Sequence, residues 1–246
     1  MGSEMCIRDR NVPDRKGKLG DVVLGFDDVN NYVDPDLGYQ GLVVGRYANR
    51  IRDAKFVLDG NEYHTPNNQG TWTLHSGGRF SFNIWDVEEV GDNFVTFKFF
   101  SPDMEDGFPG NFTMKVKYTF DDSNALKIDY TVLSDKKTVA NPTNHSYFNL
   151  SADSSKTIED EYLLINADKF TETDDSQLPT GELGELKGTM MDFSTLHKIG
   201  DKIDEPFRAV IDGIGYDNNY CLYDKKIGEL TQAVSYTHLR AHETSL

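Results

Sequence analysis

The chain has 246 residues, which suits one large domain or two small ones, because domains usually hold roughly 100 to 200 residues and all-β domains reach about 250. Its 37% hydrophobic, 12% aromatic and 27% charged residues are typical of a globular protein with a packed core, which excludes a coiled coil or a disordered chain as a whole. Lys and Arg number 25 against 41 Asp and Glu, and because the formal charge of −16 repels phosphate backbones and anionic lipids, we expect no nucleic-acid or membrane partner.

The two ends of the sequence differ in character from the rest. Residues 1–10 ("MGSEMCIRDR") and 234–246 ("VSYTHLRAHETSL") show neither strand alternation nor a helical apolar stripe, and both resemble translated sequencing-adapter artefacts. We therefore predict a single domain over residues 11–233. The alternative is a pair of irregular native tails, and in either case the isolated His238 and His242 are not read as ligands.

No targeting or membrane segment is evident in the sequence. No apolar stretch approaches the roughly 18 residues of a membrane helix, and the first residues lack the apolar centre of a signal peptide. Cys6 and Cys221 are too few for a disulfide framework and lack the spacing of a zinc site. We therefore expect a cytoplasmic protein.

Short segments with the alternation of β-strands recur along the chain, separated by turn residues. They cover residues 42–46, 55–58, 84–90, 94–100, 114–120, 126–132, 162–166 and 219–223. The clearest are 114–120 and 126–132, in which every second residue is apolar and between which a polar turn predicts a hairpin. Residues 151–160 and 171–188 are polar enough to be long surface loops, and no helical stripe of about ten residues occurs. This pattern predicts an all-β antiparallel sandwich or barrel.

Four segments combine residue types that suit a binding or catalytic site. Residues 141–150 ("NPTNHSYFNL") place His145 beside Ser146 and Tyr147, and a histidine near neutral pKa suits general acid or base work on a polyhydroxylated ligand. An isolated histidine is more often a buried residue bonded to a backbone carbonyl, so this segment alone does not distinguish a catalytic histidine from a structural one.

The other three segments are weaker signals when each is taken alone. In "LHSGG", His75 precedes two glycines that permit close approach to a ligand, although such pairs are also common in turns. In "GRYANRI", Asn49 and Arg50 offer donors to hydroxyl groups, or are simply solvated. In residues 212–220, Asp217 can accept hydrogen bonds from neighbouring hydroxyls, or belongs to an ordinary turn.

The sequence lacks the motifs of several other common enzyme classes. The sequence has no phosphate-binding P-loop, no HExxH, no GxSxG and no cysteine with an activating partner. Histidines, an arginine, an aspartate and aromatic residues on a β scaffold are typical of a neutral carbohydrate site. A sugar is therefore the favoured ligand.

In this order, "VPDRKGKLGDVVLGFD", "GRYANRI", "LHSGG" followed by "FNIW", "SPDMEDGFPGNF", "NPTNHSYFNLS" and "GYDNNYCL" resemble the aldose 1-epimerase (galactose mutarotase) family. The resemblance covers most of residues 12–223. It implies a large antiparallel β-sandwich, of the galactose mutarotase-like supersandwich type, with an open active-site cleft. It also implies an isomerase that interconverts the α and β anomers of hexoses such as galactose and glucose, without a cofactor or a metal.

The resemblance also implies roles for particular residues. His145 donates a proton to the sugar ring oxygen, and His75 is a second histidine near it that binds the substrate. Further substrate-binding positions are Asn49, Arg50, Ser146, Tyr147 and Asp217. A carboxylate such as Asp217 would favour the protonated form of His145.

The sequence departs from the family pattern in three places. The family's general base is a glutamate in a late strand resembling "SGFCLETQ", preceded by a substrate-binding glutamine, and neither has a match here; Glu243 has none of that motif around it. The family's first strands are also unmatched, so we expect a sandwich that is incomplete at both ends, with unpaired sheet edges. The aspartate motif reads Asp217-Asn218-Asn219, where many relatives have a histidine in the middle.

These departures predict that the chain itself is weak or inactive as an enzyme. A hexose-6-phosphate mutarotase is one alternative, and a carbohydrate-binding or sugar-sensing protein without catalysis is another. The presence of both His75 and His145 disfavours the second, because a binding module needs no acid at the ring oxygen. The sequence indicates neither the preferred aldose nor the oligomeric state.

Overall fold

The computed structural model describes residues 11–14, 16–122, 125–222 and 233–236. Those residues form short antiparallel β-strands, short 3₁₀ turns and a single six-residue α-helix, which confirms the all-β antiparallel prediction. The chain divides into two compact units, residues 1–153 (the first unit) and 154–246 (the second unit). The single domain over 11–233 stays a prediction; of the terminal strings 1–10 and 234–246, only residues 234–236 are described.

The first unit contains the strands that precede His75 and His145, together with the other strands of this part of the chain. They are β1 (Asn11–Pro13), β2 (Leu19–Asp21), β3 (Val43–Val44), β4 (Arg50–Ile51), β5 (Lys55–Leu58), β6 (Asn61–His64), β7 (Thr73–Leu74), β8 (Asp86–Val90), β9 (Phe94–Ser101), β10 (Phe112–Phe120), β11 (Leu126–Ser134) and β12 (Thr143–Asn144). One sheet has the order β11-β10-β9-β8, and the other strands pair two by two as β1-β2, β3-β12, β4-β7 and β5-β6.

The four-stranded sheet has one buried face. Phe112, Met114 and Val116 of β10 are fully buried, as the alternation in the sequence predicts. The register of β10 against β11 pairs Met114 with Val132, which confirms the predicted hairpin. The buried face packs against a cluster that includes Val43, Phe80, Trp85 and Phe97. The core of the first unit therefore lies against the segments that lead to the candidate site.

Residues 41–50, here called the spine, connect the parts of the first unit that carry polar motifs. On one side β3 pairs with β12, and the Asn141 amide donates to the Arg46 carbonyl at 2.8 Å. On the other side β4 pairs with β7, with Arg50 opposite Leu74. The spine is therefore bonded both to the segment that ends at His145 and to the segment that ends at His75.

Arg46 anchors the spine to the sheet. Its side chain is only 1% exposed, and its guanidinium donates to the Ser101 hydroxyl and to the carbonyls of residues 101, 102, 108, 109 and 110. Burial lowers the pKa of Arg46, while the carboxylates of Glu105, Asp106 and Asp103 oppose that shift. A buried guanidinium with this many acceptors holds the loop of residues 101–110 against the spine in one arrangement.

The second unit consists of two three-stranded sheets and a short helix. Its elements are β13 (Tyr162–Ile165), β14 (Ala167–Thr173), β15 (Pro179–Glu185), β16 (His197–Lys198), α1 (Arg208–Gly213), β17 (Tyr220–Leu222) and β18 (Ala233–Tyr236). The sheet orders are β16-β13-β18 and β15-β14-β17. Phe170, Leu186, Met190, Met191 and Val210 form its buried cluster. Residues 234–236 belong to one of the two terminal strings, and their backbone pairs with β13.

One prediction about the second unit is wrong. Residues 171–188 were expected to form a surface loop, but β14 and β15 pair there as an antiparallel hairpin. Along β15 nearly every residue is exposed and only Gly184 is buried, so the strand has no apolar alternation to reveal it. Residues 151–160 contain no strand, as predicted. In the described part of the chain, no helix is both long and apolar enough to cross a membrane.

Candidate functional site

His75 and His145 meet although 70 residues separate them in the sequence. His75 directly follows β7, and His145 directly follows β12, so each ring is placed where a strand paired with the spine ends. Their ring centroids are 5.2 Å apart and the ring planes are nearly perpendicular, at 88°. Both residues are half-buried, so the pair borders solvent while much of each ring is packed against protein.

The backbone of Asn49 fixes the orientation of His75. The Asn49 amide donates to His75 Nδ1 at 3.0 Å, and the His75 amide donates to the Asn49 carbonyl at 3.1 Å. A ring nitrogen that accepts a hydrogen bond carries no hydrogen, so the neutral His75 ring has its hydrogen on Nε2. Both residues adopt positive φ, 69° for Asn49 and 51° for His75, which lets their backbones face each other. His75 is therefore held as a ring with an Nε2 donor.

The charge state of His75 agrees with this arrangement. Burial, followed by the nearby positive charges of His145 and Arg50, lowers the pKa of His75 from 6.5 to about 4. At neutral pH the ring is uncharged and offers one hydrogen-bond donor. Two imidazoles this close are not both protonated at low cost, so a positive charge on His145 disfavours one on His75.

Arg50 is oriented by its neighbour in the sequence. The Asn49 side-chain oxygen accepts from the Arg50 amide at 2.8 Å and from the Arg50 guanidinium at 3.4 Å. Asn49 is thus bonded to His75 through its backbone and to Arg50 through its side chain. The motif "ANRI" therefore holds a cationic group and a neutral imidazole next to each other.

Ser146 and Tyr147 differ in how they are placed beside His145. The Tyr147 ring lies 5.2 Å from the His145 ring and is 48% exposed, which suits a surface that a ligand touches. The Ser146 amide donates to the Asn144 side chain at 3.1 Å. The Ser146 hydroxyl oxygen is buried and has no hydrogen-bond partner among the described residues.

Tyr39 is a member of this cluster that the sequence motifs do not include. Its ring centroid lies 4.5 Å from that of His75, 6.1 Å from that of His145 and 4.9 Å from that of Phe82. Tyr39 therefore contacts both histidines and closes one side of the pair. Its position in the sequence, outside every polar motif, gave no signal of this role.

Asp217 lies in the second unit. It is exposed and follows α1, between two tyrosines whose hydroxyls donate to the carbonyls of Met190 (Tyr216, 3.3 Å) and Met191 (Tyr220, 3.1 Å). These bonds attach the segment to the buried cluster of the second unit. The structure thus brings His75, His145, Asn49, Arg50 and Tyr147 together in the first unit, whereas the place of Asp217 in the site stays a prediction.

The cluster in the first unit presents donors, a cation and aromatic surface. A neutral Nε2–H, a second imidazole, a guanidinium and a tyrosine ring can hold a polyhydroxylated molecule and exchange a proton with one of its oxygens. In the part of the chain that the structure describes, no group of three or more His, Cys, Asp or Glu residues is arranged to hold a metal ion.

Comparison with known proteins identifies the family. The family model described as aldose 1-epimerase matches residues 6–245, which is nearly the whole chain. The chain belongs to the aldose 1-epimerase family. The resemblance predicted from the sequence motifs is confirmed.

Named relatives of this aldose 1-epimerase family member include animal and bacterial proteins. Galactose mutarotase of Bos taurus is 40% identical over 216 residues, which is 87% of this chain and 61% of the bovine protein. Aldose 1-epimerase of Haemophilus influenzae is 40% identical over 176 residues, 71% of this chain and 51% of that protein. The chain therefore spans about three fifths of the length of the first of these relatives.

Solved structures confirm the fold. The aldose epimerase homologue from C. elegans superposes with a TM-score of 0.79 at 31% identity, over 92% of this chain and 67% of that one. A galactose 1-epimerase from Lactobacillus acidophilus gives a TM-score of 0.76 at 27% identity, over 88% and 63% of the two chains. The predicted galactose mutarotase-like β-sandwich is thus the fold of this aldose 1-epimerase family member.

Proposed function

We propose that this chain supplies the general acid of a hexose mutarotase site. Such a site interconverts the α and β anomers of sugars such as galactose and glucose. The observation that carries the proposal is the histidine pair, in which the Asn49 amide donates to His75 Nδ1, burial keeps His75 uncharged, and His145 lies 5.2 Å away. This arrangement leaves His145 as the residue that carries a transferable proton, with His75 as a fixed donor beside it.

The proposed reaction transfers two protons and keeps the sugar's composition unchanged. A base removes the proton from the anomeric hydroxyl O1, the C1–O5 bond breaks, and its electron pair moves to the ring oxygen O5. His145 protonates O5, which gives the open-chain aldehyde. Rotation about the C1–C2 bond and the reverse proton transfers then close the ring as the other anomer, so no net proton or electron is consumed.

The remaining residues are proposed to bind the sugar. Arg50, oriented by the Asn49 side chain, donates to hydroxyl oxygens, and the exposed ring of Tyr147 packs on the sugar. The unpartnered Ser146 hydroxyl and the Asp217 carboxylate are proposed as further hydrogen-bonding groups for the substrate.

The base in this reaction is not assigned to a residue of this chain. The family's glutamate motif has no match in the sequence, so we propose that the 246-residue chain is a weak catalyst by itself. General base catalysis typically contributes about 10² to 10⁴ in rate. If the part of a relative that the match does not cover is added, the rate contribution of the general base should be restored.

The test is polarimetry of freshly dissolved α-D-galactose at neutral pH. We compare the chain with a longer form, extended by the part of the bovine galactose mutarotase that the match does not cover. The longer form should accelerate anomer relaxation, and His145→Ala should reduce that acceleration by about 10² or more. The matched control is His64→Ala, because the His64 side chain is 69% exposed in β6, and its rate should be unchanged.

The contrary result is also specific. If the longer form binds galactose, as seen by ligand-observed NMR, but leaves the relaxation rate unchanged, the enzyme proposal is wrong. The chain is then a carbohydrate-binding protein built on the family fold. If His145→Ala relaxes the sugar as fast as the unmodified protein, the acid lies elsewhere.

We also propose a cytoplasmic location and a small-molecule sugar as the ligand, with neither nucleic acid nor membrane as a partner. The support is the formal charge of −16 and the presence of only two cysteines. Fractionation of cells that express the tagged parent protein tests the location.

A further inference from the structure

Tyr39 packs against both histidines, and its hydroxyl lies over the turn that follows His75. We infer that Tyr39 is a positioning residue for His75, and that the packed ring of Tyr39 holds the His75 Nε2–H donor at the sugar ring. The inference rests on the proposed function only for the identity of the ligand, because the contacts belong to the first unit alone.

The first step of the argument concerns the ring of Tyr39. It meets the His75 ring at 4.5 Å with an interplanar angle of 61°, and it meets Phe82 at 4.9 Å on its other side. Tyr39 thus covers part of His75 from water. A loss of this cover would restore hydration, which favours a charged imidazole.

The second step concerns the hydroxyl of Tyr39. Burial raises the pKa of this hydroxyl, and the nearby Asn68 side chain opposes that rise. The Asn68 side chain also accepts from the Leu74 amide at 2.8 Å and donates to the Leu74 carbonyl at 2.9 Å. Leu74 immediately precedes His75, so Asn68, which lies near the Tyr39 hydroxyl, holds the backbone that orients the imidazole.

The third step is that Tyr39 has little room to move. A Cβ atom built on Gly78 would lie 3.0 Å from the Tyr39 hydroxyl and 3.0 Å from the Phe82 ring, so these groups pack closely over the glycine. Gly78 also donates from its amide to the His75 carbonyl at 3.0 Å. The ring is therefore held in place by the same turn that holds His75.

The charged and titratable groups that face His75 are His145 and Arg50, together with Tyr39 itself. The positive charges of His145 and Arg50 disfavour protonation of the His75 ring. Tyr39 adds exclusion of water, which acts in the same direction. Removal of the Tyr39 ring should therefore change the titration of His75 without any change in the neighbouring charges.

The experiment is nitrogen-15 NMR of the histidine side chains across a pH titration, on the full chain and three variants. In the unmodified chain, His75 should carry its hydrogen on Nε2 and titrate near 4. In Tyr39→Ala the midpoint should move toward 6.5, and the preference for the Nε2–H form should fall. Tyr39→Phe keeps the ring and should retain most of the low midpoint.

The matched control is Tyr63→Ala, which removes a tyrosine ring that stacks on Phe56 at 5.3 Å in the β5–β6 hairpin. That variant should leave the tautomer and midpoint of His75 unchanged, even where it lowers stability. A merely structural role for Tyr39 would give the same result as the control. The proposal is overturned if folded Tyr39→Ala, checked by near-UV circular dichroism, titrates at His75 as the unmodified chain does.

A separate measurement tests the proposed function: galactose is added to the same samples, and the histidine signals are recorded again. In the unmodified chain, galactose should shift the His75 and His145 signals, and Tyr39→Ala should weaken that binding by about tenfold or more, as expected for loss of a fixed donor. If galactose shifts no signal but His75 still responds to Tyr39→Ala, the positioning role stands and the sugar proposal is wrong.

Discussion

The burial of His75, with the nearby positive charges of His145 and Arg50, makes the stability of the protein depend on pH. The pKa of His75 is about 4 in the folded chain and ordinarily 6.5, so the unfolded chain takes up the proton first as the pH falls. His75 therefore contributes stability that is present above pH 6.5 and is lost as the pH falls toward 4, by up to about 3 kcal/mol. Urea unfolding between these pH values measures the loss.

The variant that isolates this contribution is His75→Asn. The asparagine oxygen can accept from the Asn49 amide in place of Nδ1, and asparagine tolerates the φ of 51° at this position. Because it does not titrate, the difference in unfolding free energy between the native chain and this variant should change between pH 6.5 and 4. A difference that stays constant over that range would contradict the charge state assigned to His75.

The sequence singled out the polar residues of the candidate site but not their arrangement. His145 and His75 stand in recognisable motifs, because hydroxyl, amide and glycine residues cluster around them. Tyr39 has no such context, since its contribution arises from packing on residues that are distant in the sequence. The position of the hydrogen on His75 Nε2 could not be predicted from the sequence either, because it depends on the backbone amide that donates to Nδ1.

The β5–β6 hairpin and the 3₁₀ turn Glu105–Gly107 offer a paired test of local geometry. Gly60 and Gly107 both have a φ of 81°, which L side chains rarely adopt. A Cβ on Gly60 meets nothing within 4 Å, whereas a Cβ on Gly107 would lie 1.7 Å from the His64 carbonyl oxygen. Gly60→Ala should therefore cost about 1 to 2 kcal/mol from the backbone alone. Gly107→Ala should cost more than about 4 kcal/mol or prevent folding.

Equilibrium urea unfolding of both variants gives the comparison. Because the backbone angle is shared, the difference between the two losses reports the contact with β6. Equal losses would mean that the turn Glu105–Gly107 moves freely away from β6. That result would also weaken the view that Arg46 holds the loop of residues 101–110 in one arrangement.

Elements were predictable where burial alternates and were missed where the backbone alone makes the strand. The β10–β11 hairpin appears in the sequence because its apolar residues recur at every second position. The β14–β15 hairpin does not, since β15 is exposed almost throughout and its pairing is made by main-chain bonds. A polar segment can thus be a strand when its neighbour supplies the buried side chains, as Phe170 of β14 does.

At the scale of the whole molecule, motif order predicted the fold more securely than any single strand did. Several segments in family order implied the β-sandwich that the C. elegans homologue shares at a TM-score of 0.79. The spine could not be predicted in the same way. The strand predicted at residues 42–46 contains β3, but β4 was not predicted, and the pairing of β3 with β12 and of β4 with β7 follows only from the structure.

The net charge predicts how the whole protein responds to salt. A formal charge of −16 produces repulsion that favours expansion, and ions screen charges separated by more than the Debye length, about 8 to 10 Å near physiological ionic strength. The urea midpoint at neutral pH should therefore rise as sodium chloride is added in the range up to about 0.2 M. At pH 4.7, near the isoelectric point of the sequence, the same salt should have little effect because the net charge is close to zero. A midpoint that falls with salt at neutral pH would instead mean that exposed ion pairs such as Lys198–Asp160 (2.8 Å) stabilise the fold more than the net repulsion destabilises it.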